Sequence, residues 1–368
     1  MTTNSKRLRA LDILRGITIA GMITVNNPGS WSHMFAPLDH AQWIGLTPTD
    51  LVFPFFMFIM GISTCFSLKK YNYTLTRQSL YKILKRVVLL YLIGLAICII
   101  AMLAFKGTFN FDKLRLTGVL ARLAICYGIT AVLASTIKHK FFPLIITALL
   151  VIYYIILVTG NGFTQDTSNI LSKVDCNILG GHMYNDHGID PEGILSTIPS
   201  VAHVMIGFYT GRLFMQPCDL DKKLLQLLLG GTIGIFTGYL LSYGCPISKK
   251  IWSPTFVLVT CGAAASFLAL LIWIVDVKGW KRGVIFFESI GINPLFCFVL
   301  GDMFSIFFAM HLPSLGLPDG LQSLLMKTVF NPLFGGGEWS SLFYALMITA
   351  FVWGIAHILY KKQIYIKL

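Results

Sequence analysis

Asp39, His40 and Asp50 stand at the mouth of an apolar run, in the stretch "PLDHAQWIGLTPTDLVFPFFMFIMG" that covers residues 37–61. An imidazole with a carboxylate ten positions on has the makings of a general base and its orienting group. The carboxylate accepts one ring N–H and leaves the other ring nitrogen free to take a proton. Asp50 has a second reading as a helix-start acid just after Pro48, where the dipole favours negative charge. The two roles are compatible. Trp43 lies between the pair, and Asn26, in "VNNPG" at the close of the preceding apolar run, falls on the same expected side.

Other residues compete for chemistry. Asp12, Arg15, Arg122, Glu288 and Asp302 lie inside apolar runs, where an ionisable group is a functional candidate by default. Asp12 and Arg15 are three apart and share a helix face, so a self-neutralising pair competes with a phosphate-contacting role for Arg15. "DPEGILSTIPS", residues 190–200, sets Asp190 and Glu192 before a helix start. It reads as an acidic helix N-terminus or as a set of acceptors for sugar hydroxyls or an ammonium. His33, His182, His187, His203, His311 and His357 have no comparable setting. His182 and His187 flank "MYND", but histidines in one irregular segment do not by themselves make a ligand set, and no metal is expected. "GGTIG" and "FGGGEW" lack the strand and Lys of a phosphate loop and read as packing and turn elements.

These residues must be held by membrane helices. Of 368 residues 55% are hydrophobic and only 12% charged, half the charge of a soluble domain, which excludes an ordinary soluble enzyme. Apolar runs of about 20 residues recur, each long enough to cross a hydrocarbon core. The expected fold is all-α: a polytopic transmembrane bundle of about ten spans near 11–27, 48–68, 86–105, 116–137, 141–159, 194–215, 224–243, 254–276, 284–308 and 342–360. Residues 1–368 are read as one integral-membrane domain. The outer loop 160–193 and the outer connection 309–341 belong to it, the latter either dipping into the membrane or capping the bundle. The first run is read as a retained span, because Asp12 and Arg15 interrupt it and no small-x-small cleavage site follows.

Lys and Arg divide unevenly between alternate sides: 20 on the side of the N-terminus, 7 on the other and 2 within spans. By the positive-inside rule both termini face the cytoplasm and the His40 loop faces out. This bias explains the net charge of +13 without nucleic acid. Cys176 and Cys245 both fall in outer loops, which leaves a disulfide between them open.

Several long motifs carry a resemblance. "RLRALDILRGITIAGMITVNN", "DHAQWIGLTPTDLVFPFFMFIMG", "GVLARLAICYG", "DPEGILSTIPS", "WSPTFVLVTCG", "VDVKGW" and "GINPLFCFVLGD", in this order, resemble the membrane family of heparan-α-glucosaminide N-acetyltransferase and its bacterial relatives. The resemblance covers nearly the whole chain. It implies His40 as the active-site histidine, Asn26 as the first-span asparagine and Asp50 as the span-start aspartate. It also implies acetyl-CoA as co-substrate and an amino-sugar acceptor, for which Asp190, Glu192, Trp43 and Asn293 are the candidate binding residues. The lysosomal members carry a further luminal domain with no counterpart in these motifs, so the natural acceptor stays open.

On this reading the chain is a multi-pass protein of the cell (inner) membrane that moves an acetyl group from cytosolic acetyl-CoA to an amine outside. His40 is general base or acetyl acceptor and Asn26 a donor to the oxyanion. Arg15, Lys82, Arg86 and Arg282 on the inner rim are candidates for the nucleotide's negative charges. The partners are acetyl-CoA, the acceptor sugar and the lipid bilayer, with a homodimer left open. A transporter of amino sugars or small solutes, and an O-acyltransferase acting on a surface glycan, are the competing classes.

Overall fold

The computed structural model describes residues 8–184, 188–311 and 319–366. Asp186, His187, Lys6, Arg7 and Lys367 therefore lie outside the described residues. Within them the chain is helical: α1 (Arg9–Asn26), α2 (Pro48–Lys69), α3 (Arg77–Lys106), α4 (Val119–Thr136), α5 (Phe142–Thr159), α6 (Ile170–Leu179), α7 (Thr197–Met215) and α8 (Leu220–Leu241). Then come α9 (Pro254–Leu271), which runs into a π-helical turn at Ile272–Val277, α10 (Val284–Ile292), α11 (Pro294–Ala309), α12 (Gly320–Leu325), α13 (Asn331–Phe334) and α14 (Glu338–Lys361).

Seven helices among the described residues are long and apolar enough to cross a membrane, and α10 with α11, bent by 90°, makes an eighth if counted as one span. Nine of the ten expected spans coincide with one helix each, and 284–308 with two, α10 and α11. The two that fall short, α1 and α7, carry Arg9, Asp12 and Arg15 in one case and His203 and Arg212 in the other. The all-helical architecture fits a membrane bundle, in which every backbone polar group must be satisfied within its own helix. The 160–193 stretch is not wholly irregular, since α6 forms inside it, and α12 and α13 form within 309–341.

The chain gathers into two compact units. One takes the chain up to Asp39, Asp219–Gly230 and the chain from Ala264 onward. The other takes His40–Cys218 and Gly231–Ala263. In the first unit α1 crosses α10 so closely that a Cβ on Gly16 would lie 1.8 Å from Phe287 O, and one on Gly291 1.8 Å from Asp12 O. Only glycine permits such an approach.

The second unit repeats the device. A Cβ on Gly61 of α2 would lie 2.2 Å from Val204 O, and one on Gly207 of α7 2.1 Å from Phe58 O. Small residues thus let α2 and α7 pack backbone to backbone where no water is available to drive association. The most apolar window of α2 is 67% buried and that of α4 61%, against 11% for α3 and 17% for the Phe142–Thr159 helix with its lead-in turn. The side chains of α3 and α5 that the unit leaves exposed, such as Leu84, Val88, Leu92, Leu144 and Ile152, suit contact with acyl chains. α3 spans 30 residues, about 45 Å at about 1.5 Å per residue. That exceeds the roughly 30 Å of a hydrocarbon core, and its basic residues Arg77, Lys82, Lys85 and Arg86 fall in its first turns.

Candidate active site

Local sequence sets the start of α2. Thr47 is the N-cap, Pro48 occupies the first helical position, and Thr47 with Asp50 closes a capping box. Asp50 Oδ2 accepts from the N–H of Thr47 at 3.2 Å, from Thr47 Oγ1 at 3.1 Å and from the N–H of Ala41 at 3.1 Å. The loop before the helix is thereby folded back onto it. Gly45, at φ 124°, makes the turn that brings its own N–H to Ile247 O at 2.8 Å. The helix-start role expected of Asp50 is present.

The second oxygen of the same carboxylate faces the histidine. His40 Nδ1 lies 2.7 Å from Asp50 Oδ1; Asp50 is fully buried and His40 is 43% exposed. A buried acceptor against a half-exposed ring fixes the ring's orientation. With its proton on Nδ1, His40 presents an Nε2 lone pair.

Lys249 completes the cluster. Its Nζ lies 3.1 Å from His40 Nδ1 and 3.4 Å from Asp50 Oδ1. Burial pushes the Lys249 ammonium below the usual lysine range, while Asp50 and Glu192 oppose the fall. The sequence alone entered Lys249 only among the outer-side cations. The signal was there: Lys249 and Lys250 are two of only seven Lys and Arg expected on that side, against the positive-inside bias.

Beside this triad runs a second charged network. Arg115 Nη2 bonds Asp190 Oδ1 at 2.7 Å and Glu192 Oε2 at 2.6 Å, and its Cζ lies 5.0 Å from the centre of the Tyr184 ring. Asp190 has no exposure and also accepts from Thr117 Oγ1 and from the N–H groups of Tyr184 and Glu192, both at 2.8 Å. Burial alone would push its carboxyl up, but Arg115 and these donors hold it below the usual range. Asp190 therefore ties Tyr184 and Glu192 to Arg115, while Glu192 keeps a side-chain exposure of 11%. Asp175 of α6 is also buried, bonded through Oδ1 to the N–H of Ile194 at 3.0 Å. Burial pushes it up to about 6, which the nearby Asp190 reinforces and the Ile194 N–H resists.

Trp43 donates its indole N–H to Phe163 O at 2.8 Å and packs on the buried cluster of Tyr153, Leu157, Leu171, Ile189 and Ile251. His40, Asp50, Trp43, Asp190 and Glu192 thus share the second unit. Lys82 and Arg86 belong to it too, Lys82 over the Tyr71 ring at 5.6 Å and Arg86 over the Tyr127 ring at 4.5 Å. Asn26, Arg15, Arg282 and Asn293 belong to the first unit. Asn26 is the last residue of α1. Arg15 pairs with Asp12 at 2.8 Å, the self-neutralising arrangement their spacing allows. Arg282 is exposed, and Asn293 bonds Ile364 O at 2.9 Å and the N–H of Ile366 at 2.8 Å, holding the tail against the α10–α11 bend. Cys176 and Cys245 are free thiols. Among the described residues no group of three metal-ligating side chains comes together.

The chain is similar along its whole length to a mouse protein named heparan-alpha-glucosaminide N-acetyltransferase. It is 27% identical over 429 residues that take in 100% of this chain and 61% of the mouse protein. The human protein of the same name is 28% identical over 364 residues, covering 82% of this chain and 54% of the human protein. The chain therefore spans between half and two thirds of the length of these relatives. Residues 7–229, well over half of the chain, match the family described as heparan-alpha-glucosaminide N-acetyltransferase, catalytic, and this chain belongs to that family.

Proposed function

We propose that this chain is a membrane acetyltransferase that moves an acetyl group from acetyl-CoA, taken from the cytoplasmic side, to the amine of a glucosamine-type sugar on the outer side. The whole chain acts as one domain of the cell (inner) membrane, crossing it ten times with both termini in the cytoplasm. The observation that carries the reading is the 2.7 Å contact between His40 Nδ1 and the fully buried Asp50. An ammonium cannot attack a thioester until it loses a proton, and this pair supplies a base held in one orientation, a contribution of about 10² to 10⁴ in rate.

His40 Nε2 takes the proton from the acceptor amine, and Asp50 balances the imidazolium that results. Lys249 offsets the second negative charge that Glu192 brings near. Glu192, partly accessible beside Arg115, and Trp43 are the groups on hand for the sugar, an acidic acceptor and an apolar ring face. Lys82 and Arg86 are the cations for the nucleotide's phosphates. Incubation of the purified protein with acetyl-CoA and glucosamine tests the reading through release of free CoA and formation of N-acetylglucosamine. Acetyl-CoA left unconsumed in the presence of an amino-sugar panel would overturn it.

A further inference from the structure

We propose that Arg122 is a catalytic residue of this site, whose guanidinium receives the thioester carbonyl oxygen and holds the negative charge that oxygen gains during transfer. The inference rests on the acetyl-transfer reading above.

Arg122 sits in the second turn of α4 and is 1% exposed. Its Nη2 donates to Gly193 O at 3.1 Å and to Ser196 Oγ. Its Nε and Nη1 have no partner, which leaves three N–H groups of a buried cation unanswered. A fold that needed this arginine only for packing would satisfy it, because a buried charge without acceptors is among the costliest groups to keep. The guanidinium lies over the Trp252 ring, 5.2 Å from its centre, and the Trp252 indole N–H is buried and unpartnered as well. The charge of Asp175 acts on Arg122 and its Oδ2 is an unpartnered acceptor, yet the unanswered donors still outnumber it, and an oxygen of a ligand carbonyl is the complementary group.

Three short routes tie Arg122 to the His40 cluster. Trp252 closes one turn with Lys249, its N–H bonding Lys249 O at 3.0 Å, and Lys249 Nζ touches His40. Trp252 also meets Phe53 edge-on at 5.4 Å, and Phe53 lies one turn into α2 from Asp50. Gly193, the carbonyl partner of Arg122, follows Glu192, whose charge acts on Lys249. The donors therefore lie deeper than the half-exposed base and within a few contacts of it.

The step balances without a further reactant. The amine nitrogen forms a bond to the carbonyl carbon as the C=O π pair moves onto oxygen, which the Arg122 N–H groups hold. The pair then returns and the C–S bond breaks, its electrons leaving on the CoA sulfur. The proton from nitrogen passes to His40 and then to that sulfur. A charged donor serves a developing oxyanion better than a neutral one, and loss of such a donor costs about 10²- to 10³-fold in turnover.

Isotope-edited infrared spectroscopy of the wild-type protein with acetyl-CoA labelled at the carbonyl carbon tests this directly. The stretch should fall below its frequency in water, and Arg122→Gln should remove the fall. Binding gives the second readout. Arg122→Gln should weaken acetyl-CoA at least tenfold and leave S-ethyl-CoA, which lacks the carbonyl, unchanged. An unmoved carbonyl stretch in the wild-type complex overturns the proposal even where the variant fails to fold, and so does equal weakening of the two ligands. Absence of acetyl-CoA turnover by the wild type would sink the underlying acetyl-transfer reading, whereas turnover with an unmoved carbonyl sinks only the role of Arg122.

Discussion

Asp50→Asn separates the two duties of one carboxylate. Oδ2 answers Ala41 and both donors of Thr47, and Oδ1 answers His40. The new amide has only one oxygen. Placed on the loop side it keeps three hydrogen bonds and turns its NH₂ toward His40 Nδ1. The ring then has to accept there and carry its proton on Nε2, so it is no longer a base. Restoring the working tautomer requires the amide to flip and give up those three bonds, at about 1 kcal/mol each. About 3 kcal/mol is roughly a 10²-fold deficit, and the lost charge opposite an imidazolium deepens it to about 10² to 10⁴. The expected result is a fall of that size in kcat for CoA release, with KM for acetyl-CoA little changed. The ¹⁵N shifts of the labelled histidine should report the proton moving from Nδ1 to Nε2. Full turnover, or a reduced rate with the tautomer unmoved, would refute the reasoning and confine Asp50 to the capping box.

Lys249→Met, which removes the cation 3.1 Å from His40 Nδ1 and 3.4 Å from Asp50 Oδ1, should lower kcat/KM for CoA release, while Lys249→Arg should keep it near the wild-type value. Asp175 is neutral more readily folded than unfolded, so the native state binds more protons between pH 4 and about 6 and stability falls as pH rises through that window. Asp175→Asn should therefore leave the thermal midpoint unchanged near pH 4 and raise stability by about 1–2 kcal/mol at pH 7.5. Gly207→Ala sets a methyl 2.1 Å from Phe58 O and forces α2 from α7. A loss of about 1–3 kcal/mol should appear in the detergent melting curve.

Much of this was legible because membrane helices obey few rules. Each of the ten apolar runs is met by helix, the 284–308 run by two of them, and the capping signal "TPTD" placed the first turn of α2. The His40–Asp50 pair was readable because its two members flank one short loop. Lys249 was not, because it reaches the ring from 209 positions away and nothing in a run of two lysines says where it folds. Asp190 read as an open acceptor on an outer surface, yet five donors from Arg115, Thr117 and the backbone of Tyr184 and Glu192 close around it. The 90° bend at Asn293 also escaped the apolar pattern, which counted residues 284–308 as one straight span.

The central claim is that His40 carries the proton transfer of acetylation. Purified protein in proteoliposomes, given acetyl-CoA and glucosamine, should release free CoA, and His40→Ala, compared at equal amounts of folded protein, should reduce that release by at least 10². Undiminished turnover in the His40→Ala protein would contradict the account.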